Sequence, residues 1–165
     1  MLSALLVLQV LAPVEKMITP FAVIQGAKTT YASPSQFIIR DQVEWNQMWA
    51  KHKGYPEVYT TGTKAAPKYD FKKYALIAIF LGPKDNCRGL VFTTKPYGLY
   101  AREKDLILRY RPNHRWEPAV GKPDMPFAFI VVPKVGKKTL FIEEDNKDTE
   151  FKELNFVEKA KFNLN

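Results

Sequence analysis

The chain has 165 residues, 46% hydrophobic and 13% aromatic, with 3 Trp, 8 Tyr and 11 Phe. That is enough for one domain with a sizeable core, and it excludes a disordered polar chain. A single cysteine excludes an intramolecular disulfide framework and a Cys-rich zinc module, and no apolar run approaches the roughly 18 residues of a spanning helix.

The net charge of +8 is unevenly spread. Residues 1–70 hold 7 Lys/Arg against 5 Asp/Glu, residues 71–140 hold 14 against 5, and residues 141–165 hold 4 against 7. The basic middle suits either a phosphate-backbone footprint or a solvated basic face, and no nucleic-acid motif accompanies it.

Residues 1–12 are uncharged and rich in Leu, Val and Ala. They resemble the apolar region of an export signal, with Val10 and Ala12 at small-residue positions before a cleavage point. No Lys or Arg precedes the run, and Pro13 would follow the cut, so an ordinary apolar N-terminal segment is the competing reading. Residues 1–20 are therefore set apart from a single domain over 21–165.

Phe21 to Gln25 is short, apolar and ends at Gly26, which predicts a strand. Ser33-Pro34-Ser35 turns the chain into a second strand, Gln36 to Arg40. Asp41 with Glu44 three residues later resembles a capping box. Trp45, Met48, Trp49 and His52 follow on one helical face, and Gly54 and Pro56 stop the helix. Residues 54–68 read as a long loop.

Ala75 to Leu81 is seven apolar residues without interruption, which predicts a strand buried on both faces and central in its sheet. Gly82-Pro83 breaks it, and Leu90 to Thr94 reads as the returning strand. Pro96-Tyr97-Gly98 is a turn. In Asp105 to Arg111, Ile107, Arg109 and Arg111 alternate with Leu106, Leu108 and Tyr110, which predicts a half-exposed strand with a basic outer face. Five residues, Pro112, Pro118, Gly121, Pro123 and Pro126, mark 112–126 as loop. Phe127 to Val132 and Thr139 to Glu143 read as a hairpin pair. Residues 151–164 fit helix or strand, with strand favoured from about 155. The sum is α+β and mainly β: an antiparallel sheet of six to eight strands, as a sandwich or partly open barrel, with one short helix.

Candidates for chemistry are few. His52 falls on the apolar helix face, where a packed histidine is expected. His114 lies among Asn113, Arg115 and Trp116. Neither has a second ligand at metal-site spacing, so no metal site is expected. Cys87 sits in Lys84-Asp-Asn-Cys-Arg88, read as an exposed turn. The cations can lower its pKa, but no local signature makes it a nucleophile. There is no Gly-x-Ser-x-Gly elbow and no phosphate-binding Gly loop, so no catalytic residue and no cofactor is assigned. The most distinctive cluster is Arg109, Tyr110, Arg111, His114, Arg115 and Trp116. Arg with aromatic residues suits a partner-binding surface, and Arg109, Arg111, Arg115 and Trp116 are the site candidates. The competing reading is a hairpin whose arginines lie over the protein's own rings.

A set of positions then carries a family likeness: Gly26; Arg40; Glu44, Trp45 and Trp49; Asp70-Phe71; Leu81-Gly82; Gly89; Pro126; and Val131-Val132-Pro133. Over about residues 21–143 the chain resembles the PrcB C-terminal-type domain, which occurs in accessory subunits of secreted bacterial protease complexes and in other exported proteins. The turn after Gly82, Pro83 to Arg88, departs from the Gly-rich segment of that family. The resemblance implies an exported, periplasmic or extracellular, non-catalytic domain that associates with or stabilises a partner protein, a protease among the candidates. A basic polyanion- or nucleic-acid-binding domain is the second reading and a small hydrolase the third.

Overall fold

A computed structural model describes residues 14–52, 65–114, 122–134, 136–145 and 154–164. Ten strands and one helix follow in order: β1 Lys16–Ile18, β2 Ala22–Gly26, β3 Ser35–Ile39, α1 Gln42–Lys51, β4 Tyr74–Phe80, β5 Cys87–Val91, β6 Gly98–Arg102, β7 Asp105–His114, β8 Phe127–Pro133, β9 Thr139–Asp145 and β10 Phe156–Asn163. They form two sheets and not a closed barrel. One is four-stranded, in the order β2-β8-β4-β3. The other is six-stranded, in the order β1-β6-β7-β9-β10, with β5 paired to the far half of β7. The mainly β expectation with one short helix holds.

Period-two alternation decides which side of each sheet is packed. Ala75, Ile77 and Ile79 of β4 and Ala128, Ile130 and Val132 of β8 face Leu106, Leu108 and Tyr110 of β7 and Leu140 and Ile142 of β9, all buried in one core between the sheets. The intervening residues of the same strands, Leu76, Ala78, Phe80, Phe127, Phe129 and Val131, form a second core on the other face, beneath α1. A strand with apolar neighbours on both faces has no use for a polar position, which is why β4 reads as continuous hydrophobic sequence. It pairs with β8 on one edge and β3 on the other, as a central strand must.

The helix starts where expected. The Asp41 side chain accepts from the Glu44 backbone N–H at 2.8 Å, and Glu44 accepts from the Arg40 N–H at 2.9 Å, one residue earlier than a standard capping box. Trp45 is fully buried, its ring edge-on to Phe129 at 4.9 Å and its Nε1 donating to the Pro67 carbonyl. Trp49 packs against the same core while remaining half-exposed, so Trp45 alone is the fully enclosed member of the pair. His52 is buried against Phe127 at 4.2 Å, with Thr29 Oγ1 2.9 Å from its Nδ1.

Several elements and connections differ from the linear reading. The chain after β4 does not return beside it: Gly82, at φ +66, turns the backbone away, and the strand that follows pairs with β7. A Cβ at Gly82 would lie 2.8 Å from Pro34 Cδ, so the turn requires glycine twice over, for its left-handed φ and for the room. Likewise β8 and β9 are not a hairpin. Thr139 to Glu144 of β9 run parallel to β7, with Asp105 opposite Thr139 and Tyr110 opposite Glu144. In both cases adjacent apolar segments cross between sheets, because each sheet must contribute strands to the shared core. Residues 98–102, read as following a turn, form the full strand β6, and β7 continues to His114 through residues assigned to loop. The sheet also begins before residue 21: β1 pairs with β6, Lys16 opposite Ala101, so the fold reaches upstream of the 21–165 boundary. Strand β10 agrees with the strand reading of the C-terminal stretch.

Candidate partner-binding face

Leu106, Leu108 and Tyr110 of β7 point into the core, so the alternate residues of the strand line the outer face of the six-stranded sheet. Strand β7 lies between β6 and β9, so this face collects side chains from five strands. Opposite Ile107 stand Tyr100 on one side and Phe141 on the other; opposite Arg109 stand Gly98 and Glu143. Gly98 has φ +156, and a Cβ there would meet Met17 Cε at 2.7 Å. The missing side chain lets the Met17 thioether reach across the strand beside Arg109's row.

Arg109 is the centre of this face. Its Nε donates to Glu143 Oε2 at 2.7 Å, and Nη1 and Nη2 donate to Glu15 at 2.6 and 3.1 Å. The guanidinium carbon lies 5.2 Å from the Tyr100 ring centre and 5.1 Å from that of Phe156. Two carboxylates take three of the five N–H groups of the planar fork while two rings hold it against the sheet. Burial opposes the guanidinium's charge; the hydrogen bonds and charges of Glu15 and Glu143 more than offset it and raise its pKa.

Arg111, two residues on, is exposed, its guanidinium 5.4 Å from the Tyr97 ring. Tyr97 in turn donates to Asp145 Oδ2 at 2.6 Å. Burial, then the Asp145 carboxylate, pushes the Tyr97 phenol up to about 12. Asp145 is itself buried and also accepts from the Asn155 backbone N–H at 3.3 Å. At the other end of the face Arg102 and Lys161 lie 6.0 and 5.1 Å from the Phe141 ring. Arg102 also approaches Glu15 and Asp105 at 3.8 and 3.9 Å. The face is thus a layer of rings overlaid by four cations, two of which, Arg102 and Arg109, meet carboxylates.

Of the four sequence candidates, Arg109 and Arg111 share this outward face, as the alternation predicts. Arg115 and Trp116 lie outside the described residues. Glu15, Tyr97, Tyr100, Glu143 and Phe156 complete the face without having been singled out. Glu15 is 94 residues from Arg109 and falls in the stretch set apart as a leader. Tyr100 and Arg102 alternate with Leu99 and Ala101, a five-residue signal that the preceding turn obscures.

The hydrolase candidates come together in register but not in chemistry. Cys87 is directly opposite His114 across β5 and β7. Yet Cys87 is fully buried within the core rather than in an exposed turn, and its Sγ donates to the Gly89 carbonyl at 3.3 Å. Burial raises its pKa, outweighing the pull of Lys84, whereas a nucleophilic thiol needs the opposite shift. His114 is exposed, with Nδ1 3.3 Å from the Asp85 carbonyl. Among the described residues no group of three or more His, Cys, Asp or Glu converges as a metal site would require, and no helix is long and apolar enough to cross a membrane. No protein-family model, curated protein or solved structure matches this chain.

Proposed function

We propose that this chain is a non-catalytic binding domain that attaches to a partner protein through the outer face of its six-stranded sheet. The observation that carries the reading is the bracing of Arg109 between Glu15 and Glu143 over Tyr100 and Phe156. A guanidinium held that way is ordered before any partner arrives, which lowers the entropy cost of association. Arg and Tyr in a fixed, partly desolvated layer are the residues that concentrate binding energy in protein interfaces. The charge on the face favours a protein over a polyanion. Arg102, Arg109, Arg111 and Lys161 stand among Glu15, Asp105, Glu143, Asp145 and Glu158, so a phosphate backbone would meet carboxylates at each step. The likeness to PrcB C-terminal-type domains supports an exported accessory subunit, with a secreted protease as the partner to try first.

The test uses the full chain and the protein that co-purifies with it from the cells that encode it. Arg111→Glu together with Lys161→Glu reverses two exposed cations that no core residue needs. Capture of the partner should be lost at an unchanged thermal midpoint. Capture equal to that of the unmodified chain would refute the face.

A further inference from the structure

A second surface lies at one end of the sandwich, where the topology gathers lysines that are far apart in sequence. Tyr74, at the start of β4, is opposite Pro133, at the end of β8, and the Phe21 N–H donates to the Val131 carbonyl. In the other sheet Asp105 is opposite both Arg102 and Thr139, and Asn163 is opposite Thr139. The short connection from Pro133 to Thr139 joins these two strand ends, so they share one end of the molecule. Backbone hydrogen bonds tie its segments together: Lys134 N–H to the Lys73 carbonyl at 2.9 Å, Lys138 N–H to the Lys104 carbonyl at 2.7 Å and Leu164 N–H to the Lys138 carbonyl at 2.8 Å. Lys137 Nζ donates to the Glu103 carbonyl at 2.6 Å.

This end therefore presents Lys72, Lys73, Lys104, Lys134, Lys137 and Lys138. Asp70, 3.6 Å from Lys73 in an exposed pair, and Glu103 in the β6–β7 turn are the acids interleaved with them. Arg102 is already matched by Glu15 and Asp105. Two apolar features share the same end. Phe21 is 59% exposed and stacked on Tyr74 at 4.3 Å, an aromatic pair standing beside the lysines. The chain also enters the described fold here: Lys16 is opposite Ala101, which puts Glu15 level with Arg102 and Val14 level with Glu103 in the Glu103–Lys104 turn. Val14 is 86% exposed, and the sequence preceding it is the uncharged apolar stretch 1–12.

We infer that the lysine-rich end of the sandwich docks on a membrane surface that carries anionic phospholipids. Lysine is a compact, strongly hydrated charge without the fork that reads a single phosphate, which suits attraction to a field of headgroups. An exposed aromatic beside such lysines matches the interfacial depth at which rings settle in a bilayer. This orientation would leave the outer face of the six-stranded sheet standing roughly perpendicular to the membrane and open to a partner. The inference rests on the lysines and not on the partner-binding reading, so the two fail independently.

The experiment is co-sedimentation of the full chain with vesicles of phosphatidylcholine alone and of phosphatidylcholine with phosphatidylglycerol. Binding should require the anionic lipid and weaken as salt rises. One lysine near such a surface is worth about a fivefold change in partitioning, so Lys72→Gln, Lys104→Gln and Lys138→Gln combined should weaken binding about a hundredfold. Lys28→Gln, Lys95→Gln and Lys122→Gln, exposed lysines at the opposite end, should leave it unchanged. Both triple variants should keep the circular dichroism and thermal midpoint of the parent, and partner capture should survive in both. Equal binding to neutral vesicles, or equal losses from the two triple variants, would overturn the inference. So would lysine-dependent binding to single-stranded DNA with none to the anionic vesicles.

Discussion

The two outward-facing aromatic layers of this protein are covered in different ways. On the four-stranded sheet, Phe80, Phe127 and Phe129 lie beneath α1, and the covering atoms are themselves aromatic: Trp45, Trp49 and His52. On the six-stranded sheet, Tyr97, Tyr100, Phe141 and Phe156 have charged side chains over them, and two of those cations, Arg102 and Arg109, are paired in place with Glu15, Asp105 and Glu143. The first layer is sealed by burying apolar area, and its gain comes from the hydrophobic effect. The second is finished by cation–ring contacts and ion pairs, which are weaker in water and leave polar atoms at the surface. A helix-covered layer has nothing left to offer a partner. A layer capped by arginines keeps both shape and hydrogen-bonding capacity, which is why the binding role is assigned to it.

The contrast is broken most sharply at Trp45. Trp45→Ala removes the largest side chain enclosed among the described residues and the donor to the Pro67 carbonyl. It should cost on the order of 3–5 kcal/mol in denaturant unfolding. A loss below about 1 kcal/mol would show that the helix is not what seals this face.

Arg109→Leu should cost less, about 1–3 kcal/mol. The loss is chiefly the penalty for leaving Glu15 and Glu143 together without their cation, reduced by the partial exposure of all three. Arg109→Leu combined with Glu15→Gln and Glu143→Gln should recover part of that loss; no recovery would mean that the ring contacts, and not the ion pairs, hold the site.

Tyr97→Phe should cost about 1–2 kcal/mol at neutral pH through loss of the bond to Asp145. It should also change the alkaline limb. The folded-state pKa of Tyr97 is raised to about 12 from an ordinary value of 10.0, so its contribution is whole below pH 10 and is lost as pH climbs toward 12. The unmodified chain should lose stability through that window more steeply than Tyr97→Phe, as followed by urea midpoints at successive pH values. Parallel curves would show that the Tyr97 phenol is not shifted upward in the fold.

How much of this was legible beforehand follows the same division. The helix-covered side is written in local sequence: Asp41 and Glu44 cap, Trp45 and Trp49 repeat at helical spacing, and β4 announces its double burial by having no polar residue. The six-stranded side is written across the chain. Its central strand pairs in parallel with β9, so the neighbours of Arg109 come from residues near 15, 100, 143 and 156. Alternation revealed that Arg109 and Arg111 face outward, but not what they face. Nearness in sequence suggests a hairpin for Phe127–Glu143, whereas two packed sheets of this kind are built by strands that cross between them. Cys87 is hidden for a related reason: charged neighbours on either side suggest an exposed turn, yet the strand β5 turns that one side chain into the core.

The most direct measurement places a photo-crosslinking amino acid at position 111 on the arginine-capped face and, separately, at exposed Val43 on α1, in the full chain within cells that encode it. Irradiation should join position 111 to one protein species, in an adduct that Lys161→Glu diminishes, and should join position 43 to none. An adduct from position 43 with none from position 111 would contradict the assignment of binding to the six-stranded sheet.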